Sequence, residues 1–122
     1  MTLTDHRFLT VTDYIDTHMI RTLPISELAD RACMSESNFY RAFRRQFGMT
    51  PVEYMNRQRI AQAQQLLETT SRDLTDISVV CGFTNVSYFV RLFRRVVGIP
   101  PGQYRRVTYR VEHVSPRNKQ AA

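Results

Sequence analysis

A stretch of this chain recurs, with half of its residues unchanged, at an offset of 50 positions. Segment 39–54 aligns with segment 89–104 without a gap, and eight of its sixteen positions carry the same residue in both copies. The eight positions are Phe39, Arg41, Phe43, Arg44, Arg45, Gly48, Pro51 and Tyr54. Upstream the correspondence continues at an offset of 49, pairing Leu28 with Ile77 and Met34 with Phe83. A repeat of this kind predicts two copies of one structural unit.

Each copy predicts a short helix, a polar turn and a second helix. Small and apolar residues recur at helical spacing over 25–32 in the first copy and over 74–81 in the second. Ser35 and Asn85 then lie at N-cap positions, where a short polar side chain satisfies a free N–H group of the second helix. Each second helix ends at a glycine, which readily takes the left-handed conformation needed there: Gly48 and Gly98. This order is the helix-turn-helix pattern.

A longer helix is predicted between the two copies. Thr50 and Glu53 form a capping box around Pro51, and apolar residues then recur at helical spacing until about Glu68. At about 1.5 Å per residue, this helix is roughly 27 Å long. We therefore predict an all-α chain in four parts: a first helix-turn-helix subdomain over 1–49, a linker helix over 50–68, a second subdomain over 69–106, and a basic, loose tail over 107–122.

The positive charge of the chain rests on arginine. The formal net charge is +6, and Lys119 is the only lysine. Arginine presents a planar fork of donors that suits phosphate oxygens and guanine edges, so the charge indicates a polyanionic partner. Basicity alone does not distinguish DNA from RNA or from a membrane surface. No apolar stretch approaches the roughly 20 residues that cross a bilayer, and no signal peptide is recognisable. With only two cysteines, Cys33 and Cys81, we expect a reduced, cytoplasmic protein without a membrane partner.

The second helix of each copy leaves one face free, because its phenylalanines point to the core. Mid-helix arginines on such a face can reach guanine O6 and N7 from the major groove, and valines can contact thymine methyl groups. The two candidate recognition helices cover about 36–47 and 86–97. The residues that we predict to contact bases on them are Ser37, Tyr40, Arg41, Val86, Ser87, Val90 and Arg91.

Four further arginines are predicted to bind phosphates, which positions a protein on DNA without reading its sequence. They are Arg44, Arg45, Arg94 and Arg95. For a single helix, an ordinary solvated face is the favoured explanation of such charges. The arginines nevertheless recur in both copies, although the residues that face the core vary more freely. Packing does not require this recurrence, whereas a periodic polyanion does. A helix of roughly 27 Å could hold two such units about one DNA turn apart.

The chain resembles the DNA-binding domain of the AraC/XylS family over roughly residues 8–106. The matching motifs include Phe39-x-x-x-Phe43-Arg-Arg, Gly48-x-x-Pro51-x-x-Tyr54, Arg59-x-x-x-Ala63-x-x-Leu66-Leu67, Cys81-Gly82-Phe83, Ser87-Tyr88-Phe89-x-Arg91-x-Phe93-Arg-Arg and Gly98-x-Pro100-Pro101-x-x-Tyr104-Arg105. The resemblance implies seven helices, with two helix-turn-helix subdomains joined by a central helix. It also implies sequence-specific promoter binding, and it adds Tyr88 to the residues expected to contact bases.

The resemblance also carries expectations about partners. It implies a transcription regulator, and more narrowly an activator, whose partners are double-stranded promoter DNA and RNA polymerase. Small stand-alone relatives commonly have tryptophan where this chain has Ser37, and a glutamine pair in place of Val86 and Ser87. The target sequence is therefore not carried over. We expect a monomer if the chain stands alone, and a dimer if a sensing and dimerising domain precedes it, as in most relatives.

Three other functions compete with this interpretation. One family type joins such a domain to a zinc-bound, methyl-accepting cysteine. Here Cys33 and Cys81 lie on or beside the first helix of each copy, where small apolar residues pack, and the histidines show no ligand spacing. We therefore expect structural cysteines, no enzymatic activity, no metal and no cofactor. A protein-binding module would have no need to repeat the arginine face, and a non-specific nucleic-acid binder would discriminate little between DNA sequences.

Overall fold

The structure is a computed structural model, and it describes residues 6–18 and 23–109, in which helices are the only regular elements. The helices are α1 (His6–His18), α2 (Ile25–Arg31), α3 (Glu36–Phe47), α4 (Pro51–Thr69), α5 (Leu74–Val80), α6 (Val86–Val97) and α7 (101–109). The all-α prediction with seven helices is confirmed. The pairs α2–α3 and α5–α6 are the two helix-turn-helix units.

The chain divides into two compact units, and the boundary between Gln58 and Arg59 lies inside α4. Met55, before the boundary, is buried in the core of the first unit. Ile60 and Leu67, after it, are buried in the core of the second. The predicted linker over 50–68 corresponds to α4 (Pro51–Thr69), and the two halves of this helix carry buried residues of different cores.

Equivalent phenylalanines form the centre of each core. Phe39 and Phe43 of α3 are fully buried in the first unit, and Phe89 and Phe93 of α6 are fully buried in the second. The Phe8 ring of α1 lies 6.0 Å, between centroids, from the rings of both Phe39 and Phe43. The repeated phenylalanines thus attach each candidate recognition helix to its own unit.

The structure extends the repeat to α1, in which only two of thirteen residues are identical at an offset of 52: Arg7 with Arg59 and Thr17 with Thr69. Three buried residues of α1 are spaced like three buried residues in the second half of α4, at an offset of 52. The pairs are Phe8 with Ile60, Val11 with Ala63, and Ile15 with Leu67. None of these three buried pairs is identical, so residue identity gives little sign of the correspondence. Helical spacing alone, three residues and then four, preserves the buried stripe.

Two equivalent tyrosines each place a partly buried hydroxyl group beside a carboxylate of their own unit. Tyr54 lies in the first half of α4 and Tyr104 in α7, at an offset of 50. The Tyr104 hydroxyl donates a hydrogen bond to the Glu68 carboxylate at the end of α4. Burial raises the pKa of both tyrosines, and the next largest contributions come from Asp16 near Tyr54 and from the hydrogen bond of Tyr104 to Glu68. Both phenols therefore stay protonated at neutral pH.

The predicted helix ends are confirmed. The Ser35 side chain accepts a hydrogen bond from the Asn38 backbone N–H at the start of α3, and Asn85 caps α6 through the N–H of Tyr88. Gly48 and Gly98 end these helices in the left-handed conformation, with φ of 75° and 105° respectively. Because each end has its own cap, the length of both candidate recognition helices is set locally.

The capping box at the start of α4 is also present. The Thr50 N–H donates to Glu53 Oε1 at 2.8 Å, and the Glu53 N–H donates to Thr50 Oγ1 at 3.1 Å. The hydrogen bond from the Thr50 backbone is the largest influence on Glu53 and holds the pKa of its carboxyl below the ordinary value. At the other end of the chain, α7 includes residues 107–109, which the sequence assigned to the tail. The remaining tail residues, 110–122, lie outside the described ranges.

The turn inside each helix-turn-helix unit closes by the same pair of hydrogen bonds. The Cys33 N–H donates to the Asp30 carbonyl at 3.0 Å, and the Met34 N–H donates to the Ala29 carbonyl at 2.9 Å. Both bonds recur 49 residues later in the second unit. The residue that follows the C-cap must be left-handed in this motif, and φ is 58° at Cys33, after Ala32, and 92° at the equivalent Gly82, after Cys81.

The expectation that both cysteines are structural is therefore wrong for Cys33. Its side chain is exposed, because the left-handed turn directs it away from the core. Cys81 is buried in the second core as expected, and burial raises the pKa of its thiol to about 11. At neutral pH the Cys81 thiol is accordingly protonated and a poor nucleophile.

We expect Cys33→Gly to raise the free energy of unfolding by about 1 kcal/mol, because glycine removes the steric cost of a left-handed residue. Gly82→Ala, which introduces that cost at the equivalent position, should lower it by about the same amount. Denaturant titrations of both variants measure the two changes. A Cys33→Gly variant less stable than the parent chain would contradict the steric explanation.

Candidate nucleic-acid interface

The exposed surface of α3 carries the residues that the sequence assigns to DNA in the first unit. Phe39 and Phe43 are buried, which turns the opposite side of the helix to solvent. Tyr40 is 39% exposed. The others on this surface are all exposed: Ser37, Arg41, Arg44 and Arg45. The structure thus brings all five predicted contacts of the first unit onto one continuous helix surface.

Asn38, which the sequence reasoning did not single out, holds the central arginine of this surface. The Arg41 guanidinium donates a hydrogen bond from Nη2 to Asn38 Oδ1 at 2.7 Å. The two residues are three positions apart, which places them as neighbours on a helix. Arg41 keeps further N–H groups for a ligand, since a guanidinium has five. The sequence could have predicted this hydrogen bond, because a polar residue, Asn38, lies three positions before Arg41.

An open depression of about 400 Å³ lies beside Arg41. Its walls come from the start of α2 and from the first half of α3. The lining residues are Ile25, Glu36, Ser37, Tyr40 and Arg41. Three of the predicted base-contacting residues therefore share one concave surface with a carboxylate, that of Glu36.

On α6 the predicted residues divide into two groups. Ser87, Arg91, Arg94 and Arg95 are exposed. Val86 and Val90, by contrast, are partly buried and pack against the second core. The sequence placed both valines on the free face, but they lie at its edge, one turn apart. Only part of each valine side chain is left for a thymine methyl group, because the rest is covered by the protein itself.

Tyr88 lies beside an aromatic and a cationic side chain of its own unit. Its ring centroid is 6.2 Å from that of Phe83, and its exposed fraction is 40%. The Arg59 guanidinium carbon lies 6.0 Å from the centre of the Phe83 ring. Burial lowers the pKa of Arg59, and Tyr88 opposes that shift. Arg59 therefore brings a half-buried positive charge close to Tyr88, a predicted base-contacting residue. In the sequence, Arg59 stood out only as part of a family motif.

The charge on the two candidate recognition helices is strongly asymmetric. Each helix carries three arginines, and α6 has no acidic residue. Glu36, in the first turn of α3, is the only acidic residue on either helix. A helix with exposed arginines over its middle and last turns presents a positive surface to a polyanion.

No group of three or more histidine, cysteine, aspartate or glutamate residues within 6–18 and 23–109 is arranged to hold a metal ion. Among the described helices, none combines the length and the apolar character that crossing a membrane requires.

Sequence comparison places most of the chain in a known family. A profile described as "Helix-turn-helix domain" matches residues 28–107. The "Probable transcriptional regulator LumQ" of Photobacterium leiognathi is 34% identical over 94 residues, which are 77% of this chain and 38% of the relative. The "HTH-type transcriptional activator RhaR" of Klebsiella pneumoniae is 42% identical over 80 residues, which are 62% of this chain and 28% of the relative. The chain thus spans less than half the length of these curated relatives.

Structural comparison agrees. The DNA-binding domain of the global transcriptional factor AdpA, solved in complex with a target DNA, superimposes with a TM-score of 0.80 at 33% identity, covering 90% of this chain and 97% of that one. A "probable AraC family transcriptional regulator" from Rhodopseudomonas palustris gives a TM-score of 0.78 at 26% identity, covering 85% and 98%. With its two helix-turn-helix units and the matching profile, this chain belongs to the AraC/XylS family of transcription regulators, within the DNA-binding domain of that family.

Proposed function

We propose that this chain is a sequence-specific, double-stranded DNA-binding domain of a bacterial transcription regulator. In this proposal α3 and α6 enter successive segments of the major groove. The observation that carries it is the recurrence of exposed arginines on two structurally equivalent helices, at 41, 44 and 45 and at 91, 94 and 95. Two relatives support it, since RhaR is named a transcriptional activator and the AdpA domain was solved on DNA.

Base reading in the first unit centres on Arg41. An arginine in the major groove donates two hydrogen bonds to O6 and N7 of guanine. The hydrogen bond to Asn38 limits the positions that the free guanidinium adopts, and this reduces the entropy lost on binding. Ser37 and Tyr40 lie beside it and offer hydroxyl groups to neighbouring base edges.

Base reading in the second unit has a more apolar character. Arg91 and Ser87 are exposed and supply the polar contacts. Val86 and Val90 offer the uncovered part of their side chains to thymine methyl groups, and Tyr88 contributes the exposed part of its ring. The two units therefore prefer different bases, which suits a target without two-fold symmetry.

Phosphate binding is assigned to the arginines nearer the helix ends. These are Arg44, Arg45, Arg94 and Arg95. Contacts of this kind fix the register and contribute affinity for every DNA sequence alike. Phosphate binding by these arginines needs no metal and no cofactor, and we assign no catalytic step to this chain.

Membership of the family supports a proposal for the wider biological role. We propose an activator that acts on promoter DNA in the bacterial cytoplasm, with RNA polymerase as a further partner. The chain on its own binds as a monomer, because both recognition helices belong to one polypeptide. We propose a dimer for the case in which a sensing and dimerising domain is joined to it.

The test is a binding titration of the intact chain with duplex DNA at several salt concentrations. Each neutralised phosphate contributes about −0.9 to the slope of log affinity against log salt, so four or more contacts predict roughly a hundredfold loss between 50 and 200 mM salt. Hydroxyl-radical footprinting on the selected duplex should show protection in two segments about 10 base pairs apart. A flat salt response would favour a protein-binding module, and equal affinity for all duplexes would favour a non-specific nucleic-acid binder.

A further inference from the structure

A carboxylate lies on the surface that we assign to base reading. Glu36 is exposed in the first turn of α3, and it lines the same depression as Ser37, Tyr40 and Arg41. The first residues of a recognition helix are the ones that come closest to base edges. Glu36 is therefore in a position to meet DNA, although no sequence pattern singled it out.

The sign of this charge is unusual for its place. Every other charged residue on α3 and α6 is an arginine, and the partner is a polyanion. An exposed carboxylate beside phosphates weakens binding to all DNA unless it receives a hydrogen bond in the complex. In the major groove, the exocyclic amino groups of cytosine and adenine are the donors that a carboxylate can accept from, and Glu or Asp pairs with cytosine N4.

The second unit shows that packing does not require a carboxylate here. The residue equivalent to Glu36 is Val86, which packs against the second core from the edge of α6. The first unit instead leaves this corner open as part of the depression, which Ile25 of α2 also lines. Glu36 is thus free to accept from a ligand, whereas Val86 is partly covered by its own unit.

We propose that Glu36 is a specificity-determining residue that accepts a hydrogen bond from a cytosine amino group, next to the base pair that Arg41 contacts. The inference rests on the proposed function and deepens it, since it names one base in the target of the first unit. A carboxylate in the first turn also stabilises a helix through the N-terminal dipole, and the experiment separates the two roles.

The experiment selects binding sites from a pool of random duplexes with the parent chain, Glu36→Gln and Glu36→Val. The parent chain should enrich cytosine at one position in the first half of the site. Glu36→Gln should shift that position toward adenine, because an amide pairs with adenine N6 and N7. Glu36→Val should lower the cytosine preference there by about five- to tenfold and leave the other positions unchanged.

Asp30→Asn is the matched control. It removes one negative charge from an exposed residue of the same unit that does not line the depression. All three variants should bind scrambled duplexes slightly more tightly, because each reduces repulsion from phosphates. Only the two Glu36 variants should change the selected base, and a melting curve of each variant checks that the unit stays folded.

An unchanged base preference in both Glu36 variants would overturn the proposal, and so would unfolding of both variants, which would assign Glu36 to helix stability. The proposed function would survive either outcome, because the parent chain would still select a sequence. Failure of the parent chain to select any sequence would instead overturn the proposed function.

Discussion

Phe43→Ala and Phe93→Ala are each expected to lower the free energy of unfolding by about 3–5 kcal/mol. Both side chains are completely buried, so truncation removes contacts and leaves a cavity. Phe43 has the larger aromatic environment, and its variant should fall at the upper end of the range. Its ring lies within 6.0 Å, between centroids, of the rings of Phe8, Phe39, Phe47 and Tyr54.

The damage should be confined to the unit that contains the replaced phenylalanine, since Phe43 and Phe93 belong to different cores. Denaturant titration measures the total loss, and amide hydrogen exchange shows which unit opens. The adjacent exposed positions supply controls: Arg44→Ala and Arg94→Ala should change stability by no more than about 0.5 kcal/mol. A loss below about 1 kcal/mol, or equal exchange in both units, would contradict the two-core description.

The second large effect concerns the arginines and separates base contacts from phosphate contacts. We expect Arg41→Ala and Arg91→Ala each to weaken binding to the selected duplex by about 1–3 kcal/mol and to relax the preference at particular base pairs. Both arginines are exposed in the middle of a recognition helix, where a side chain reaches base edges. Titrations against selected and scrambled duplexes measure the difference.

Arg45→Ala and Arg95→Ala are the matched variants one turn later on the same helices. They should weaken binding to selected and scrambled duplexes by similar factors and reduce the salt slope by about one. None of the four variants should alter thermal stability appreciably, because the replaced side chains are exposed. Equal losses on both duplexes for Arg41→Ala and Arg91→Ala would show that other residues read the bases.

Asn38→Ala offers a finer test of the first unit within the same titrations. The variant keeps Arg41 but removes the acceptor of its 2.7 Å hydrogen bond. If this hydrogen bond orients the Arg41 guanidinium before it binds guanine, the sequence specificity of Asn38→Ala should fall by less than that of Arg41→Ala. The affinity of Asn38→Ala for scrambled duplexes should stay the same. The backbone cap of α3 is unaffected, since it comes from Ser35.

Much of this architecture could be predicted from the sequence because it depends on local chemistry and on exact repetition. The helices of each helix-turn-helix unit follow from apolar spacing, and their ends follow from the caps at Ser35, Gly48, Asn85 and Gly98. A cap is a contact between residues three or four positions apart, so a short sequence contains all of its partners. The recurrence of phenylalanine at positions 43 and 93 likewise predicted two cores built in the same way.

Tertiary contacts decided the remaining features, because they depend on which residues from distant parts of the chain cover a given side chain. The apolar stripe of α4 could be predicted from the sequence, but its division between two cores, between Gln58 and Arg59, could not. Val86 and Val90 have the spacing of a free face, yet neighbouring residues of the second core cover part of each. Cys33 is a small residue of a type that usually packs in a core, but the left-handed turn, with φ of 58°, directs its side chain to solvent. Repetition in a sequence reveals which residues are equivalent, and only the packing around each copy determines which of their atoms remain free to bind.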